Sequence, residues 1–79
     1  MKLEIITPDK KLFEGEVKYA SFPGTEGSFG VLDNHAPMIA TLRPGKVEIT
    51  ETAGNTKHEF PVNGGVVEVL KNKVIVLAE

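Results

Sequence analysis

Asp33 and His35 stand two residues apart in Leu32-Asp33-Asn34-His35-Ala36-Pro37, so in an extended segment both side chains project the same way. With a hydroxyl from Ser21 or Ser28 they would compose a nucleophile, a base and an orienting acid, the parts of a small β-sandwich hydrolase. The same residues also read as turn chemistry, with His35 an ordinary loop residue before Ala-Pro. Metal chemistry has little to work with: there are 2 histidines and no cysteine, whereas zinc takes three or four N or S donors. Gly24, Gly27 and Gly30 recur at every third position, the spacing of a shaped loop. Neither GxGxxG nor GxxxxGK[ST] is present and no lysine closes the loop, so no nucleotide or other cofactor is expected.

All of these named residues but Ser21 fall within 22 to 45, FPGTEGSFGVLDNHAPMIATLRPG, the stretch that packing explains least. Around it the chain reads as short alternating strands. Lys2 to Thr7 places Leu3 and Ile5 on one face, and Pro8-Asp9 turns the chain. A brief strand over Lys11 to Phe13 is expected, then a bend or bulge at Gly15, then a strand from Glu16 to Phe22. In the last of these, Val17 and Tyr19 share one face and Ala20 and Phe22 the other. That phase change means either two covered faces or a bulge. Strands follow at Ser28 to Leu32 and Met38 to Leu42, and Lys46 to Thr52 has Val47 and Ile49 inward. Hairpin turns are expected at Ala53-Gly54-Asn55, at Asn63-Gly64-Gly65 and at Lys71-Asn72, between strands Thr56 to Val62, Val66 to Leu70 and Lys73 to Ala78. Lys2, Lys18, Lys46, Lys57 and Pro61 are candidate edge protectors.

The pattern predicts an all-β fold: one β-sandwich domain over 1–79, with two packed, mainly antiparallel sheets of roughly ten short strands. With 79 residues the core is modest. A net charge of −2 lacks the basic footprint of a nucleic-acid binder, and no aromatic is interleaved with Arg or Lys as a base-stacking platform. The longest apolar run, Val74 to Ala78, is too short to span a bilayer as a helix, and the start does not read as a signal peptide. These features, with no cysteine, fit a soluble cytosolic domain. Ile6, Ala20, Phe22, Ile39 and Leu70 are apolar where alternation in a lone sandwich calls for polar residues. Either both faces of some strands are covered, or one face is a docking surface for another subunit.

The motif EGSFGVLDNHAP, followed by Leu42 and Pro44-Gly45, resembles the epsilon subunit of F-type ATP synthases, whose pattern is EGxxGhxxxHAPhhxxLxPG. Glu26, Gly27, Gly30, His35, Ala36 and Pro37 match it. A second family pattern, GGhhEVxxNxVxVLA, is matched from Gly64 and Gly65 through Glu68, Val69, Asn72, Val74 and Val76 to Leu77 and Ala78. The opening Ile-Thr-Pro-Asp-Lys-Lys-Leu-Phe-Glu-Gly is similar to the family's start as well, so the resemblance covers the whole chain.

This resemblance implies an N-terminal β-sandwich that joins a central stalk and holds no catalytic residue. One side would pack on the gamma subunit, with Phe22 and Ile39 as the expected contacts. One end would rest on the polar loops of the c-ring through Glu26, Gly27, Ser28, Gly30 and His35. Some members carry an acidic residue where this chain has Ser28, so a neutral hydrogen bond replaces a charged contact there. The implied role is a rotor subunit of a proton-translocating synthase, peripheral to the cytoplasmic side of a bacterial inner membrane. The family's C-terminal helical hairpin has no counterpart before Glu79, so its inhibitory and ATP-binding properties do not carry over.

Overall fold

The computed structural model describes all residues from Met1 to Glu79. The chain forms β1 (Lys2–Ile6), β2 (Lys11–Phe22), β3 (Phe29–Leu32), β4 (Met38–Leu42), β5 (Gly45–Glu51), β6 (Lys57–Val62), β7 (Gly65–Leu70) and β8 (Lys73–Ala78), with no helix. The all-β sandwich is as expected, but it has eight strands rather than roughly ten. Part of the difference lies in β2. The segments expected as separate strands on either side of Gly15 form one 12-residue strand, in which Gly15 keeps its place in the ladder opposite Leu3.

β2 belongs to both layers. Its first half pairs with β1, while its second half carries β3 on one edge and β5 on the other. Layer I therefore runs β4-β7-β8-β1-β2, and layer II runs β3-β2-β5-β6. Every pair is antiparallel except β1 with β8, where Leu3 lies beside Val74 and Ile5 beside Val76. A parallel pair needs a long crossover, and here the whole intervening chain supplies it.

The phase change in β2 is a bulge. Its register against β5 slips between Val17 and Tyr19, so Val17, Ala20 and Phe22 all face the core while Tyr19 turns outward. The core is one cluster of 16 buried residues, and most of those wholly inside are β-branched: Ile5, Val17, Val31, Val47, Ile49, Val67, Val69, Val74 and Val76. Such side chains suit a pleated, closely packed surface. Val47 and Ile49 point inward as the alternation of β5 requires. Phe13, His58 and Phe60 close one flank of the core, with ring centroids 5.6 to 6.1 Å apart.

Two turns differ in kind. Lys71-Asn72 is a true two-residue hairpin turn with positive φ at both positions (51° and 59°), the primed geometry that matches strand twist. Asn63-Gly64-Gly65, expected as a hairpin, is instead a crossover from β6 in layer II to β7 in layer I. Gly65 has φ +145°, and a Cβ there would lie 2.2 Å from the Leu77 carbonyl oxygen, so only glycine lets the crossing chain enter the ladder. Of the expected edge protectors, Lys57 and Pro61 lie on the edge strand β6. Lys2 and Lys46 sit on the interior strands β1 and β5, and Lys18 is in the bulge.

Candidate partner-contact surface

One side of the sandwich is bounded by two edge strands, β3 of layer II and β4 of layer I. The loop from Pro23 to Ser28 sits at one end of this side, folded against the end of β4. Gly24 bridges to Leu42, the Thr25 amide donates to the Thr41 carbonyl at 3.0 Å, and the Arg43 amide donates to the Pro23 carbonyl at 2.8 Å. The hydroxyls of Thr25 and Thr41 meet at 2.7 Å, and Arg43 Nη2 donates to Ser28 Oγ at 3.1 Å. Within the loop the Gly27 amide returns to the Gly24 carbonyl. Glu26, Gly27 and Ser28 are left exposed at its crest. Between loop and strand lies an open groove of ≈ 610 Å³, lined by Thr25, Glu26, Ser28, Met38, Ile39 and Thr41 among others. Gly30, on β3, lies under the Tyr19 ring, whose hydroxyl would be 2.7 Å from an added Cβ.

At the other end of β3 the chain turns through Asp33 to Pro37. The His35 amide donates to the Leu32 carbonyl at 3.2 Å, and its Nδ1–H donates to the Ala36 carbonyl at 2.8 Å. Asp33 faces elsewhere: its Oδ1 accepts a hydrogen bond from the Met1 ammonium at 2.7 Å. Topology explains this contact. β3 and β1 lie end to end along one edge of β2, so the end of β3 meets the start of β1. The Asp33 hydrogen bond holds the Met1 ammonium above its usual pKa. The Asn34 amide donates to Asn72 Oδ1 at 2.8 Å, tying the turn to the β7–β8 hairpin. No Asp-His-hydroxyl array forms, since Ser21 bonds Glu48 and Ser28 receives Arg43. The hydrolase reading therefore loses its geometric basis.

The residues expected to meet a ring thus occupy one side without forming one cluster. The glycine loop and His35 lie beyond opposite ends of β3, whose four residues span roughly 13 Å at the usual rise. The residues expected to meet a second partner separate completely. Ile39 is 70% exposed on the outer face of layer I, whereas Phe22 is 1% exposed and packs against Phe29 at 5.4 Å between centroids. Phe22 is a core residue and is removed from any contact face, because the bulge turned it inward. Ala20 is buried for the same reason, while Leu70 does stand on the outer face.

Ile39 has company there that sequence reasoning passed over. The register of layer I sets Ile39, Glu68, Ile75 and Glu4 in one cross-strand row, and Thr41, Val66, Leu77 and Ile6 in the next. Val66 and Leu77 are exposed on one side of the Ile39 row, and Leu70 is exposed on the other. The signal was available in Val74-Ile75-Val76-Leu77-Ala78, which is apolar on both faces of its strand. Toward β2 the same face becomes ionic: Glu4 lies between Lys11 (3.4 Å) and Lys73 (3.6 Å), and Glu14 between Lys11 (2.8 Å) and Lys2 (3.2 Å).

A family model described as "ATP synthase, Delta/Epsilon chain, beta-sandwich domain" matches residues 1–79. The chain belongs to that family. Among curated relatives, an ATP synthase epsilon chain of Nitratiruptor sp. is 44% identical over 100% of this chain. One from Caulobacter vibrioides is 42% identical, also over 100%. The chain spans 60% of the length of the first and 90% of the second. Among solved structures, a chain of a Euglena gracilis mitochondrial ATP synthase structure that includes F1 and the c-ring superposes with TM-score 0.87 at 27% identity. That match covers 96% of this chain and 48% of the other. Within this family's β-sandwich, the two surfaces of the present chain are the loop-bearing side along β3 and β4 and the apolar outer face of layer I.

Proposed function

We propose that the chain is a non-catalytic central-stalk subunit of a proton-translocating F-type ATP synthase, seated between a gamma subunit and the membrane c-ring. Together with the family, the observation that carries this reading is the apolar outer face of layer I. Ile39, Val66, Leu70 and Leu77 stand exposed on one sheet surface, which favours its burial against another subunit. In this assignment Ile39 and Leu77 meet gamma, while Phe22 stays in the core against Phe29.

Glu26, Gly27, Ser28, Gly30 and His35 are assigned to the ring. Glu26, Ser28 and His35 bring polar groups to two loops shaped by tight backbone, which suits contact with hydrophilic loops at a membrane surface. The role is mechanical. Two strand layers closed around one rigid core carry torque between partners without a bound cofactor and without a chemical step. In this reading the chain is peripheral to the membrane through the complex, on the cytoplasmic side of a bacterial inner membrane.

The test is reconstitution. Membrane vesicles bearing the synthase but stripped of this chain are expected to hydrolyse ATP with weak proton pumping, and the added chain to restore pumping and co-purify with gamma. Pumping that is complete without the chain, or a chain that fails to bind the gamma-containing stalk, overturns the assignment.

A further inference from the structure

We propose that Thr25, Thr41 and Arg43 are positioning residues that fasten the glycine loop to β4, so that the ring-facing side and the gamma-facing sheet move as one body. This rests on the function proposed above and adds residues to it.

The loop has only local support within layer II: the Gly24 amide reaches back to the Phe22 carbonyl, and the Gly27 amide closes on Gly24. The bonds that leave the loop cross to layer I. They are Thr25 N–H to the Thr41 carbonyl, the Thr25–Thr41 hydroxyl pair, Arg43 N–H to the Pro23 carbonyl, and Arg43 Nη2 to Ser28 Oγ. Thr41 itself sits in the outer-face row with Val66 and Leu77, one cross-strand row from Ile39. One strand therefore carries the loop's anchor and the exposed gamma-facing isoleucine.

The two side-chain bonds are solvent-exposed, and each of the four is modest alone. Their value is collective, because a loop of small residues without a ladder otherwise yields before it transmits force. Close packing reinforces the seat: a Cβ on Gly24 would fall 2.6 Å from the Gly27 carbonyl oxygen, and one on Gly45 would fall 2.8 Å from Pro23. Ser28 has a part here that an acidic residue would alter. As a neutral acceptor it takes the Arg43 hydrogen bond without forming an ion pair.

The experiment uses the assembled synthase in vesicles, carrying the triple variant Thr25→Val, Thr41→Val, Arg43→Met. Its counterpart carries Thr25→Ser, Thr41→Ser, Arg43→Lys, which keeps the donors and acceptors. The expected results for the first are at least tenfold faster amide exchange at Thr25 and Gly27 and at least a twofold loss of protons pumped per ATP hydrolysed. Because Thr41 lies in the gamma-facing row, retention on gamma is read with the double variant Thr25→Val, Arg43→Met, which should stay bound, and the conservative variant should restore both readouts. Unchanged exchange, or faster exchange with undiminished coupling, overturns the proposal. So does loss of the Thr25→Val, Arg43→Met double variant from the complex, which would show that these residues hold the fold rather than the loop. If the unaltered chain is itself dispensable for coupling, the failure belongs to the stalk assignment and takes this inference with it. If the unaltered chain is required and the variant matches it, only the inference falls.

Discussion

On the outer face of layer I, Ile39, Leu70 and Leu77 are 70%, 48% and 53% exposed, with Val66 beside them. On the outer face of layer II the cross-strand rows are Ser21, Glu48 and Glu59 in one, and Tyr19, Thr50 and Lys57 in the next. The inner faces of the two layers are alike, filled by valine, isoleucine, leucine and phenylalanine. Packing within the domain thus makes the same demand of both sheets, and the difference lies entirely outside. Layer II is finished for water. Its two exposed large apolar residues, Tyr19 and Leu32 (39% and 61% exposed), are a single cross-strand pair at the β3 edge, and the Tyr19 ring roofs Gly30 there. Layer I instead sets Ile39, Val66, Leu70 and Leu77 out on one face around Glu68, the surface that the proposed function assigns to a partner.

The largest expected effect separates inside from outside. Phe22→Ala removes a ring that is 1% exposed and packed on Phe29, so it should cost about 3–5 kcal/mol of stability in urea unfolding of the chain. Ile39→Ala, at 70% exposure, should change stability by no more than about 0.5 kcal/mol. Equal costs would mean that β2 lacks the bulge that turns Phe22 inward.

The second contrast sets one outer face against the other. Ile39→Asp or Leu77→Asp should weaken association with gamma at least tenfold, the consequence of losing about 1.5–3 kcal/mol of aliphatic burial and placing a charge there. Thr50→Asp, on layer II, should leave that association unchanged. Binding measured by calorimetry against purified gamma discriminates. A stronger loss from Thr50→Asp would move the contact to the other face.

How much of this the sequence revealed follows from the range of the interactions. Strands with a clean period of two were legible, as in Lys46 to Glu51, because alternation is a local consequence of burial. The Lys71-Asn72 hairpin was legible from its length alone. Phe22 was misplaced because a bulge shifts the phase by one residue, and Val17-Lys18-Tyr19-Ala20 fits a bulge and a doubly covered strand equally well. Asn63-Gly64-Gly65 was misread because hairpins and crossovers share turn residues. Which one forms depends on the partner of β7, which is β8, and that is not a local property. The parallel pairing of β1 with β8 was invisible for the same reason. Within the candidate surface the glycine loop and His35 were recognised by motif. Val66, Leu77, Thr41 and Arg43 enter only through cross-strand register and side-chain contacts.

A smaller effect sharpens the account of layer II. Gly30→Ala places a Cβ 2.7 Å from the Tyr19 hydroxyl and 2.9 Å from its ring, so the ring must swing off the edge strand. The cost should be about 1 kcal/mol, the low end for overpacking, because Tyr19 is 39% exposed and has room to move. In the double variant with Tyr19→Ala the added methyl should cost almost nothing. A full cost in both backgrounds would mean that Gly30 is required for its backbone and not for the ring above it.

The smallest effect concerns the ionic margin of layer I. Glu14 is held below the usual carboxylate range, first by the hydrogen bond from Lys11 and then by that from Lys2. Lys11 is held above its own usual value, chiefly by the hydrogen bond to Glu14. A carboxylate lowered on folding contributes stability that is present above its unfolded pKa of 4.5 and is lost as pH falls through the folded value. A lysine raised on folding contributes below 10.5 and loses that contribution as pH rises through its folded value. Glu14→Gln should therefore flatten the acid limb of the melting-temperature profile below 4.5 and also remove most of the Lys11 contribution from the alkaline limb, leaving only the part that Glu4 supplies at 3.4 Å. Both side chains are largely in water, so the effect should shrink further in high salt. Layer II offers the comparison in Lys46–Glu59, a lone pair at 3.5 Å, where Glu59→Gln should change the melting temperature at neutral pH less than Glu14→Gln does. An equal response from the two would mean that the clustering of Lys2, Lys11, Lys73, Glu4 and Glu14 adds nothing to its separate pairs, leaving the apolar strip as the sole distinction of the layer I face.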